Sequence, residues 1–127
     1  MRDGDPKWAW WIDERELAWH EGMALLDLGY PREAIGRFEE SVATSPHQVR
    51  TRYVHLGYLL RAQPVVGTWN DAETTMRQIA LLAGEVASAR TVVLLSRILP
   101  ELKHEHVPRS TRETTEQLTW LLSRAVA

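Results

Sequence analysis

The sequence predicts an all-α chain, a right-handed array of about six helices paired into three antiparallel hairpins. Three observations carry this prediction. Apolar residues recur at helical spacing in successive segments, each bounded by a capping residue, a glycine or a proline. The segments around Gly22 and Gly57, 35 residues apart, share one pattern of small and apolar positions. After the first of them come Ala34 and Phe38, one small and one large. Two helices approach closely only where side chains are small, and the Phe fills the space left beside the contact.

Residues 1–12 form an N-terminal aromatic lead-in or cap, and 13–127 the helical repeat domain. Asp13 with Glu16 makes a capping box, and Ile12 can staple onto Leu17, so the first helix is expected from near Glu14. Its apolar positions are Leu17, Ala18, Ala24, Leu25 and Leu28, and Gly29 supplies the left-handed residue that stops it. Pro31 opens a second helix with a stripe of Ala34, Ile35, Phe38 and Val42. Ser45, Pro46 and Gln48 repeat the start signal for a third helix, which carries Tyr53, Leu56, Gly57 and Leu60.

The stretch QPVVGTWND interrupts the period, because Pro64 cannot donate a helical hydrogen bond and Gly67 opens a turn. A loop about three residues longer than that of the first hairpin is expected there. The fourth helix carries Ala72, Met76, Ile79 and Leu82 and stops at Gly84. Ser88 caps a fifth with Val92, Leu95, Ile98 and Leu99 on one face, ended or kinked by Pro100. KHEHVP reads as an exposed connection. Ser110 and Glu113 form a capping box for a last helix containing Thr114, Leu118, Leu121, Leu122 and Ala125.

These residues match a tetratricopeptide-like repeat, written W-x2-L-G-x2-Y, then A-x3-F, then a closing proline, over about 34 residues. Gly22, Leu25, Ala34, Phe38 and Pro46 stand in register, while Ala18 and Glu21 depart from it. Tyr53, Leu56, Gly57 and Leu60 match more closely, followed by Ala72 and Met76. Thr91, Leu94, Leu95 and Ile98 form a third copy without its glycine, the degeneracy expected of an end cap.

From Trp8 onward the chain resembles the tetratricopeptide-like C-terminal domain of actinomycete Xre-type helix-turn-helix transcriptional regulators. The resemblance rests on WAWWIDERELA, LLDLGYPREAI, VRTRYVHLGYLL, SARTVVLLSRILPEL and VPRSTRE. It implies a sensing, dimerising or partner-binding module, with a protein or peptide partner or a small ligand, and homodimerisation. In that family a DNA-binding domain precedes the repeats. The present chain is then either a fragment beginning at the domain boundary or a free-standing relative.

Composition bounds the function classes. The 127 residues suit one domain with a real core, and 44% hydrophobic with 25% charged is an ordinary balance. The absence of cysteine removes disulfides, thiolate chemistry and cysteine metal sites. A formal charge of −2 supplies no general attraction to nucleic acid. With neither a signal peptide nor an apolar run of membrane-spanning length, the expectation is a cytoplasmic chain with no membrane contact. There is no Gly-x-Ser-x-Gly, His-Glu-x-x-His or P-loop, so the reading is of a non-enzymatic module without cofactor. A stand-alone adaptor that holds a peptide is the alternative, and a small helical enzyme without recognisable motif the remote one.

In such arrays the first helix of each hairpin lines the concave side. The candidate ligand or partner groove is therefore Trp19, His20, Met23 and Asp27 with Val54, His55, Tyr58 and Arg61. The competing reading packs Trp19, Met23 and Tyr58 between helices, since core and groove share one period. Trp8, Trp10 and Trp11 are either an interface anchor or a cover over the first hairpin. Arg50, Arg52, Arg61, Arg90 and Arg97 make either a basic strip for a carboxylate-bearing ligand or a solvated face. Glu101, His104, Glu105 and His106 include metal-ligand types, but they adjoin Pro100 with no fourth ligand implied, so an exposed turn and no metal site is expected.

Overall fold

The computed structural model describes residues 7–43, 49–83 and 89–126, and every regular element among them is helical. In chain order these are α1 (Lys7–Asp27), α2 (Pro31–Ala43), α3 (Val49–Val66), α4 (Trp69–Ala83), α5 (Ala89–Ile98), a 3-10 helix (Leu99–Lys103) and α6 (Arg109–Val126). None of the described helices is long and apolar enough to cross a membrane.

Two helix ends close in the same way. Gly29 adopts φ 87°, and the Tyr30 N–H donates to the Leu25 carbonyl at 2.8 Å while the Gly29 N–H donates to that of Leu26 at 3.2 Å. Gly67 adopts φ 84°, with Thr68 N–H to Gln63 carbonyl at 3.2 Å and Gly67 N–H to Pro64 carbonyl at 3.1 Å. Both are the paired bonds of a Schellman stop, which needs a left-handed residue and so selects glycine.

The interruption expected at Pro64 does not occur. α3 runs through Pro64 to Val66, and only Gly67 and Thr68 separate it from α4, fewer than the three residues between α1 and α2. The extra length lies in the helix: α1 stops five residues past Gly22, whereas α3 continues nine past Gly57. Pro64 costs α3 the hydrogen bond to the Leu60 carbonyl, a loss that the packing of α3 against α2, α4 and α5 outweighs, and the helix ends two residues later.

Helix α2 packs against both α1 and α3, α3 against α4 and α5, and α4 against α6. The shared core includes Phe38, Tyr53, Leu56, Leu60, Met76, Ile79, Leu95, Leu102 and Leu118. At the first contact the reason for the small residues is explicit. A Cβ on Gly22 would lie 2.7 Å from the Phe38 ring, and Ala34 is fully buried beside it. Glu21, which departs from the repeat pattern, is half-exposed and pairs with Arg37 of α2 at 3.1 Å.

Three further expectations are revised. α1 starts at Lys7, two turns before Glu14, so Trp8, Trp10 and Trp11 belong to its first turns; their side chains lie outside what the structure describes, as do the signals at Ser45, Pro46, Gln48, Gly84 and Ser88. Ser110 and Glu113 do not cap α6 reciprocally. Ser110 Oγ donates to Glu73 Oε1 at 2.7 Å and Glu113 accepts from Arg109 at 3.1 Å. Within α6 the buried stripe is Thr111, Thr115, Leu118 and Leu122, leaving Leu121 exposed, because the helix meets α4 on a face rotated from the most apolar one.

Candidate functional site

Of the eight residues read as a groove, the structure gathers the aromatic ones into one cluster. The Trp19 ring stacks on His55 at 5.7 Å and meets Tyr58 edge-on at 5.5 Å, and His20 meets Trp19 edge-on at 4.7 Å. Tyr58 in turn stacks on Phe38 at 6.2 Å. His55 and Tyr58 are each only 8% exposed, so they serve as packing between α1, α2 and α3 and present little surface to a ligand. Trp19, Met23 and Val54 are half-buried against the same core. His20, Asp27 and Arg61 remain exposed.

A different place offers a half-open pocket. α3 and α5 touch where Gly57 faces Leu94, whose Cδ2 would lie 3.1 Å from an added Cβ, and Thr91. Both helices then continue past this contact, and between them opens a cavity of about 490 Å³. Ile98 and Leu102, both buried, form its floor. Pro64, Val65, Trp69 and Leu94 form its walls, and Arg61, Arg97, Glu101 and His106 stand exposed around its rim. His106 is edge-on to Trp69 at 6.4 Å and stacks with His104 at 5.9 Å, and His104 Nε2 is 3.6 Å from Glu101.

Sequence reasoning missed this cavity as a unit. Pro64 and Val65 were expected in a loop, yet they sit on the additional turn of α3 that makes one wall. The signal available was the displaced spacing between Gly57 and Ala72, which marks an insertion without saying whether helix or loop absorbs it. Of the five arginines proposed as a strip, Arg61 and Arg97 come to the rim; Arg50 and Arg52 sit at the far end of α3, and the Arg90 side chain is outside the described residues. A second hollow of about 440 Å³ lies between α5, the 3-10 helix and α6, lined by Val92, Leu99, Pro100 and Leu122, with Lys103 its one charged residue.

One turn along α4 from Trp69, a buried carboxylate joins α4 to α6. Glu73 accepts from Ser110 Oγ at 2.7 Å and from Thr111 Oγ1 at 2.9 Å, with Arg77 at 3.5 Å. These bonds satisfy both carboxylate oxygens, as a buried charge requires, and read as a clasp holding the last helix. Burial pushes the Tyr53 phenol above its ordinary value of 10.0. Compared with known proteins, the chain matches no family model, no curated protein and no solved structure.

Proposed function

We propose that the chain is a non-enzymatic interaction module, built as a tetratricopeptide-like right-handed array, and that it serves as the sensing and dimerisation domain of a transcriptional regulator. The observation carrying the binding role is the cavity between α3 and α5, with an apolar floor and a charged rim. In such an array these two helices are the first members of the second and third pairs and belong to the concave side. The repeat reading is supported by the identical helix stops at Gly29 and Gly67 and by the buried pairs Ala34 with Phe38 and Ala72 with Met76. The regulator role rests on the resemblance to Xre-type C-terminal domains.

In this mechanism an occupant of the cavity touches both α3 and α5 and favours one way of stacking them. That stacking sets the spacing of whatever is joined to the array, in proportion to the ligand's differential affinity for the two packings. The test is the intact mass of the protein captured from its native cells with an antibody to this domain. A larger mass that includes a helix-turn-helix segment is the expected result. A mass of 14.6 kDa would overturn the regulator role and leave a free-standing adaptor.

A further inference from the structure

Among the described residues some arginines pair with a carboxylate and others, Arg32, Arg50, Arg61 and Arg97 among them, do not. Arg37, Arg77 and Arg109 each lie against a glutamate, at 3.0, 3.5 and 3.1 Å. Arg61 and Arg97, at the rim between α3 and α5, are the two unpaired ones that share a cavity. The one carboxylate on that rim, Glu101, is approached by His104 at 3.6 Å. Two guanidinium forks are thus left beside a floor made of Ile98 and Leu102.

Each half of this arrangement narrows the occupant. A guanidinium is a planar donor matched to a carboxylate or phosphate, and an apolar floor favours a hydrocarbon body over water. An inorganic anion would leave the floor unfilled, and a neutral apolar molecule would leave both forks without an acceptor. The volume of about 490 Å³ falls within the range of sites that enclose a small molecule. Val65, 67% exposed, stands on the added turn of α3 at the edge of the pocket, which is open to solvent.

We infer that the α3–α5 cavity binds a small organic acid, one carboxylate on an aliphatic or aromatic body, with Arg61 and Arg97 holding the carboxylate and Ile98 and Leu102 the body. This rests on the binding-module reading above and names the ligand class of that site. Position explains why these two arginines serve together. Gly57 allows α3 to meet α5, and Arg61 lies one turn beyond Gly57 as Arg97 lies one turn beyond Leu94.

The test titrates the whole 127-residue chain calorimetrically with octanoate and 4-phenylbutyrate, and with octanamide as the uncharged match. The acids are expected to saturate one site and at least one of them to bind about tenfold or more tighter than the amide. Arg61→Gln with Arg97→Gln should bring acid binding down to the amide's level. Because both side chains are exposed and unpaired, the melting temperature and amide binding should stay unchanged in that double variant. Equal affinity for acid and amide, or acid binding that survives the double variant, would overturn the inference. So would binding of a tetrapeptide through its free C-terminal carboxylate when neither small acid binds, a result that leaves the binding-module reading standing. If none of these probes binds, the ligand class is overturned, while the intact-mass measurement still decides the regulator role separately.

Discussion

Helices α1 and α3 carry the same pattern around Gly22 and Gly57, yet the two glycines face different partners. Gly22 meets Phe38 of α2, the helix that follows it, at a distance that leaves no room for a methyl group. Gly57 meets Leu94 and Thr91 of α5, two elements further on, and the nearest atom is the end of a leucine side chain. α3 is covered by α2, α4 and α5, so nine of its residues are buried, including His55 and Gln63. α1 has α2 as its main described neighbour and leaves Leu17 and Ala24 exposed. One sequence pattern thus makes a tight seam between α1 and α2 and a looser contact, beside a cavity, between α3 and α5. The pattern sets how closely a helix can be approached, and position in the stack sets by what.

The largest expected effect tests the tight seam. Phe38→Ala should cost about 3–5 kcal/mol in chemical denaturation, because a fully buried ring against Gly22 leaves a cavity that the neighbouring rings cannot fill. A loss below that of an ordinary surface truncation would mean that α1 is not held by this seam. Next comes the polar attachment of α6, where Glu73 occupies the place that the half-buried Ile35 takes in α2. Glu73→Ala should cost about 2 kcal/mol, since the fully buried Thr111 hydroxyl loses its charged acceptor. An unchanged denaturation midpoint would show the clasp to be incidental.

The paired glycine variants sharpen the comparison directly. Gly22→Ala should destabilise by about 1–3 kcal/mol through overpacking against Phe38. Gly57→Ala should stay within about 1 kcal/mol of the parent, because the Leu94 side chain can shift and alanine favours the helix. Equal costs would remove the distinction between the two contacts. The smallest effect is alkaline. Tyr53 occupies in α3 the register position of Ala18 in α1, and burial raises its pKa above 10.0. The unfolded phenol ionises first, so this contribution is whole below about pH 10 and is lost as pH rises through the higher folded value. Tyr53→Phe should therefore flatten the fall in stability between about pH 9 and about pH 11, as followed by denaturation midpoints. An equally steep fall in the variant would assign the loss to other groups.

Much of the helical architecture was legible in the chain. Gly29 and Gly67 stop helices because only a residue without a Cβ adopts their conformation at low cost, a local property. Ala34 and Phe38 are buried as their spacing implies. Local signals failed where two structures satisfy the same rule. Pro64 reads as a break but stands inside α3, two residues before its end, and Ser110 reads as a cap but lies within α6, which begins at Arg109, with its hydroxyl donating to Glu73, 37 residues away in sequence. The site was legible only in parts. Arg61 and Arg97 were visible as cations, Trp69 and Ile98 as apolar residues, and nothing local says that they share one cavity.

What the sequence determined by itself is therefore the helices: their number, their glycine stops and the positions where a neighbour can come close. These follow from backbone conformation and side-chain size within a few residues. Tertiary structure alone decided which helix fills each of those positions, that Tyr58 and His55 are packed inward, and that the added turn of α3 becomes a cavity wall. The reason is that a helical period of 3.6 residues gives every face the same spacing, and only the stacking of distant segments determines which face meets protein and which meets solvent.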